Sequence, residues 1–98
     1  MDEKSIREVL DSYNPRKSLK GYELTIVAVE LIQQHFVNMG KLPTMDYIYK
    51  TLGERPDENP NKVERGIRHM KLSLGMNIPN KDFLCEIYYN YKKLMEVK

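Results

Sequence analysis

The chain is poor in the residues that most catalytic and metal sites need. Its 98 residues include one cysteine, two histidines and no tryptophan. A structural zinc site requires about four Cys or His ligands in paired spacings, which this composition does not provide. The five glycines are scattered, so none of them forms a loop that cradles a phosphate. We therefore predict a protein with no metal, no cofactor and no catalytic activity.

Long apolar runs are also missing. No stretch approaches the roughly 20 apolar residues that cross a bilayer. The first ten residues mix acids and bases, where a signal peptide has a basic start followed by an apolar run. Cys85 has no partner for an internal disulfide, which agrees with a reducing compartment. These features predict a cytoplasmic protein that does not bind membranes.

The residues that are present predict one small helical domain. With 41% hydrophobic and 31% charged residues, the composition is typical of a folded chain, and the length allows a single core. Strand patterns are nearly absent, because no segment alternates apolar and polar residues between turn residues. Proline and glycine divide the chain into five helical segments. Their approximate bounds are 3–13, 18–39, 44–52, 60–75 and 79–95.

The fold class that follows is all-α, a small bundle of about five helices. Segment 18–39 has apolar residues on more than one face, which is expected of a central helix. Segments 44–52 and 60–75, a short helix and a longer one joined by a loop, have the outline of a helix-turn-helix. We interpret residues 1–16 as an N-terminal helical extension, either a docking arm or a partner surface, and residues 17–98 as the domain that contains the helix-turn-helix.

Segment 60–75 has two different sides on a helical wheel. Val63, Ile67, Met70 and Leu74 form the apolar side, and the opposite side is polar and mostly cationic. Gly66 lies at the edge of the apolar side. Because glycine inside a helix costs roughly 1 kcal/mol relative to alanine, we predict that a neighbouring helix approaches closely there. Two asparagines compete as the N-cap, Asn59 before Pro60 and Asn61 in a capping-box pattern with Glu64.

The polar side of this helix favours DNA binding. Its cations lie in the first half of the segment, where a recognition helix presents side chains to base edges. Arginine and lysine pair with guanine, and glutamate accepts a hydrogen bond from cytosine. The pattern therefore predicts a helix that enters a major groove containing G·C pairs.

Residues 63–69 read Val-Glu-Arg-Gly-Ile-Arg-His. This block resembles the recognition-helix signature Val-Glu-Arg-Ala-Ile-Arg-His of the C-terminal DNA-binding (effector) domain of the stage-zero sporulation response regulators of Gram-positive spore formers. Lys20-Gly21-Tyr22 matches the Lys-Gly-Tyr at the start of that family's first helix, and residues 79–84 match more weakly. The resemblance spans about residues 18–96. It implies an all-helical domain that binds tandem DNA sites, often as two copies side by side, and regulates transcription.

The resemblance also implies roles for individual residues. Glu64 and Arg65 correspond to side chains that reach base edges, and Lys62 stands where the family has a guanine-reading arginine. The base-reading candidates are therefore Lys62, Glu64 and Arg65. Arg68 and His69 correspond to phosphate-binding positions. Two further polar residues of segment 60–75 and Lys20, at the start of segment 18–39, join them. The phosphate-binding candidates are Asn61, Arg68, His69, Lys71 and Lys20.

These features predict a sequence-specific transcriptional regulator that acts at the nucleoid. Its expected partners are double-stranded DNA, a second copy on tandem sites and RNA polymerase. About 17 residues precede the matched region, where the family has a phosphoacceptor domain, so we expect no switch by phosphorylation of such a domain. Two alternatives stay open: an accessory DNA-binding protein of a plasmid or phage acting at an origin or recombination site, and a protein-interaction module that antagonises a full-length regulator.

Overall fold

The computed structural model describes residues 3–97. Within this range the chain forms five α-helices and no strand, so the predicted all-α class is confirmed. In chain order the helices are α1 (Glu3–Asp11), α2 (Lys20–Met39), α3 (Met45–Gly53), α4 (Pro60–Ser73) and α5 (Asn80–Val97). Over the same residues, no helix combines the length and the apolar character needed to span a membrane.

Helix α2 is the centre of the bundle, as its sequence pattern predicted. It packs against each of the other four helices. Leu24, Ile26, Ala28 and Val29 are at most 2% exposed. Since these positions point in different directions around the helix, α2 is enclosed on several sides. It ends at Gly40, whose φ of 73° is the left-handed conformation that favours glycine at a helix C-terminus.

Helix α1 packs into the same core as the other helices, whereas the sequence predicted an N-terminal extension, either a docking arm or a partner surface. Ile6 and Leu10 are 1% and 0% exposed, and α1 packs against α2 and α5. The Arg7 guanidinium also binds both carboxylate oxygens of Glu23 on α2, at 2.6 and 2.8 Å. The apolar residues of this short helix are thus already covered by the chain itself. Residues 1 and 2 lie outside the described range.

Helices α2 and α4 are in backbone contact at two glycines. A Cβ atom on Gly21 would overlap the carbonyl oxygen of Gly66 and lie 2.8 Å from its carbonyl carbon. A Cβ on Gly66 would lie 2.6 Å from Cδ1 of Leu24. The predicted close approach at Gly66 is therefore confirmed. This contact holds the apolar side of α4 against α2 and leaves its polar side facing outward.

Helix α3 packs beside α4 through Ile48 and Leu52, which are 1% and 4% exposed. Residues 54–59 connect the two helices. Asn59 is the N-cap of α4, because its Oδ1 accepts a hydrogen bond of 2.9 Å from the backbone N–H of Lys62. Of the two competing asparagines, Asn61 is therefore inside the helix. The arrangement of α3, loop and α4 is consistent with the predicted helix-turn-helix.

Candidate nucleic-acid interface

The outward side of α4 carries a continuous row of polar side chains, which we call the basic strip. Its members are all exposed and are spaced three or four residues apart or adjacent. They are Asn61, Lys62, Arg65, Arg68 and His69. The helix has 14 residues and is thus about 21 Å long. On the opposite side, Val63, Ile67 and Met70 are fully buried, so the two sides separate as the wheel predicted.

Arg65 and His69 of the strip are free for an external ligand. Neither Arg65 nor His69 forms a hydrogen bond or an ion pair with any residue in the 3–97 range. An exposed guanidinium without a protein partner keeps all five N–H donors available. Arg65 therefore retains the full capacity for a bidentate contact.

Lys62 and Arg68 of the strip have weak intramolecular contacts. The Lys62 ammonium lies 3.4 Å from the carbonyl oxygen of Asp57, in the loop before α4. Arg68 Nε lies 3.5 Å from Oε2 of Glu64, one turn earlier in the helix. Both distances are at the long end for such contacts, and both side chains are exposed, so a phosphate group could compete with these partners.

Glu64 lies at the border between the strip and the core. Its side chain is 36% exposed, and its carboxylate contacts Arg68 and the side-chain amide of Asn80 at the start of α5. Asn80 also contacts Tyr49 of α3, at 3.0 Å. Sequence reasoning did not include Asn80 among the site residues. The contact joins residues 16 positions apart, which no local pattern indicates.

Lys71 does not belong to the site, which corrects its prediction as a phosphate-binding residue. It is 7% exposed, and its ammonium donates a hydrogen bond to the carbonyl oxygen of Ile78. The reason is its position four residues after Ile67, which places it on the buried side of α4. Its role in the structure is to hold the connection between α4 and α5.

Lys20 is exposed but already paired. Its ammonium lies 3.1 Å from Oε2 of Glu58, whose side chain is only 10% exposed. The pair joins the start of α2 to the loop before α4. Lys20 therefore neutralises an acid next to the basic strip, and any phosphate at Lys20 has to compete with Glu58.

The groups best suited to nucleophilic or metal chemistry are not arranged for it in the described residues. Burial raises the pKa of the half-buried Cys85 thiol, which disfavours the reactive thiolate. Between residues 3 and 97, no three His, Cys, Asp or Glu side chains are grouped closely enough to hold a metal ion. His35 contacts the carbonyl oxygen of Lys41 at 2.9 Å and its ring packs against Tyr47. These contacts assign His35 a structural role.

Comparisons of this chain with protein-family models, curated proteins and solved structures find no match. The resemblance of residues 63–69 to the sporulation regulators therefore stays a prediction. The structure is compatible with it, because Val63 and Ile67 face the core while Arg65, Arg68 and His69 face outward.

Proposed function

We propose that this chain is a sequence-specific double-stranded DNA-binding protein that regulates transcription, with α4 as the helix that enters the major groove. The observation that carries the proposal is the basic strip, in which Arg65 is exposed and has no protein partner within the described chain. Arginine in this position on a recognition helix pairs with O6 and N7 of guanine, the most common specific contact to DNA.

The dimensions and charges of α4 suit a major groove. The groove is about 12 Å wide and admits one α-helix. Helix α4 contains three exposed cations, Lys62, Arg65 and Arg68, and a single acid, Glu64. Its fourth cation, Lys71, is buried. Lys62 and Arg65 lie in the N-terminal half, where the helix dipole adds to the attraction for an anionic backbone.

We assign two kinds of contact to the site. Lys62, Glu64 and Arg65 read base edges, with Glu64 accepting a hydrogen bond from the amino group of cytosine. Arg68, His69 and Asn61 bind phosphates and set the register of the helix on the duplex, and Lys20 contributes when it leaves Glu58. Lys71 is not part of the assignment.

The proposal extends to the biological setting implied by the resemblance. We propose action on tandem sites by two copies, contact with RNA polymerase, a location at the nucleoid and no catalytic step. Leu72, which is 49% exposed directly beyond the basic strip, is an available apolar contact for a protein bound beside it on the DNA.

The test is selection of bound sites from a random duplex library, followed by fluorescence anisotropy on the selected and a scrambled duplex. We expect Arg65→Ala to weaken binding to the selected site by about 1–3 kcal/mol and to affect the scrambled duplex little. Arg68→Ala should weaken both and reduce the slope of log K against log salt by about 1. Lys93→Ala, on the exposed side of α5, is the control for loss of a cation elsewhere.

Two results would contradict the proposal. Failure of the wild-type protein to retain any duplex at ~100 mM salt would favour the protein-interaction module. Equal losses on the selected and scrambled duplexes for Arg65→Ala would remove the base-reading role of that residue.

A further inference from the structure

Three helices meet at the side chain of Asn80, immediately behind the basic strip. Its Nδ2 donates to the hydroxyl of Tyr49 on α3 at 3.0 Å. The same nitrogen lies 3.3 Å from the backbone oxygen of Glu64 and 3.3 Å from its Oε2. One amide thus connects α3, α4 and the first residue of α5.

This contact orients the Glu64 carboxylate. Oε2 of Glu64 accepts a hydrogen bond from the Asn80 amide and forms an ion pair with Nε of Arg68 at 3.5 Å. None of the hydrogen bonds found in residues 3–97 involves Oε1. The carboxylate is therefore held at one oxygen, and the other remains available. A glutamate that is already ordered loses less conformational entropy when it contacts a ligand.

The placement of the Asn80 amide lowers the stability of the fold while its Nδ2 donates to Tyr49 and Glu64. Its Oδ1 is buried and has no hydrogen-bond partner in the described chain, and such an atom destabilises the folded state. Aspartate in the first turn of α5 would interact favourably with the helix dipole. It would have no N–H to donate to Glu64. Burial raises the pKa of Tyr49, so its hydroxyl stays neutral and accepts from the Asn80 amide.

We propose that Asn80 is a positioning residue for base recognition, which holds Glu64 so that its free oxygen faces the base pair, while Tyr49 holds Asn80. The proposal rests on the function proposed above and adds that the specificity of α4 depends on residues of α3 and α5. Asn80 itself does not contact DNA in this arrangement.

The main test is Asn80→Asp, which keeps the shape of the side chain and replaces its donors by a charge that repels Glu64. At the base pair that Glu64 reads, we expect the preference for the selected base to fall about five- to tenfold. The affinity for a scrambled duplex should fall no more than in Asn77→Asp. That control adds the same charge at an exposed position in the connection before α5. Circular dichroism checks the fold, and Asn80→Ser replaces Asn80→Asp if the latter does not fold.

A double-mutant cycle separates positioning from a general structural role. In a Glu64→Ala background, Asn80→Asp should produce no further change in base preference. The proposal is overturned if Asn80→Asp leaves the preference at the wild-type value, or lowers it equally with and without Glu64. If the wild type binds DNA and only the Asn80 result fails, the DNA-binding function stands without this inference. Absence of any wild-type binding removes both.

Discussion

The contact between Gly21 and Gly66 predicts that two chemically identical substitutions have very different effects. In Gly21→Ala, the new methyl group meets backbone: it overlaps the Gly66 carbonyl oxygen and lies 2.8 Å from its carbon. In Gly66→Ala, it meets the end of a flexible side chain, Cδ1 of Leu24 at 2.6 Å, while the Gly21 Cα lies at an ordinary 3.8 Å. Leu24 can rotate, whereas the backbone of a packed helix cannot.

The magnitudes follow from these distances. Carbon atoms in contact are separated by about 3.5–4.0 Å, so Gly21→Ala requires α2 and α4 to move apart by roughly 1 Å. Overpacking of this kind costs about 1–3 kcal/mol, and a clash with backbone belongs at the upper end. For Gly66→Ala, a gain of about 1 kcal/mol in helix propensity offsets a cost of about 0.5–1.5 kcal/mol for moving Leu24. The same gain of about 1 kcal/mol applies to Gly21 in α2. We therefore expect a loss of about 2 kcal/mol for Gly21→Ala and a change near zero for Gly66→Ala.

Urea unfolding followed by circular dichroism measures both free energies of unfolding, and thermal melts provide a second readout. At about 4–8 °C per kcal/mol for a domain of this size, Gly21→Ala should lower Tm by about 8–16 °C. Gly66→Ala should also leave the proposed DNA binding unchanged, because the basic strip is on the other side of α4. The reasoning is refuted if the two variants are equally stable, or if Gly66→Ala is the more damaging one.

Two further predictions concern charged groups outside the basic strip. Lys71→Met should leave DNA affinity and its salt dependence unchanged, because the Lys71 ammonium is bound to the carbonyl oxygen of Ile78. Lys62→Met, the same change on the exposed side of α4, should lower the salt slope by about 1, and anisotropy titrations at several salt concentrations compare the two. Equal slopes for the two variants would contradict the assignment. Glu23→Gln should lower the free energy of unfolding at pH 7 by about 0.5 kcal/mol, since the pair with Arg7 is partly exposed. Hydrogen bonding from Arg7 holds the pKa of Glu23 below its usual value of 4.5, so this stabilisation is present above about pH 4.5 and disappears as the pH falls through the lowered pKa. Urea unfolding at pH 7 and pH 3 checks the sign, and a difference that grows toward low pH would contradict it.

The helices themselves could be predicted from local patterns. Apolar residues on more than one face of segment 18–39 indicated the central helix, because a helix covered on several sides needs apolar residues in several directions. Periodicity in segment 60–75 likewise indicated which side chains of α4 face outward, and five of the seven site residues predicted on that helix are exposed there. The glycine at position 66 indicated a close helix contact, because its cost within a helix requires a compensating reason.

The partner at that contact, Gly21, was not indicated by any local signal, since its role exists only when α2 crosses α4. The role of Asn80 was likewise not indicated by any local signal. Nothing in the sequence around it shows that its amide contacts the Glu64 carboxylate, 16 residues earlier. For Lys71 and residues 1–16, charge and position in the chain suggested exposed roles. Burial by neighbouring helices decided otherwise in the described residues.

Local periodicity thus determined the helices and the two sides of α4, because helix formation and amphipathicity depend on residues three or four positions apart. Tertiary structure alone decided which charges are available. An ammonium or carboxylate is free or occupied according to what neighbouring helices bring within hydrogen-bond distance. The packing occupied Lys71 and Lys20 and left Arg65 without a partner in the described chain.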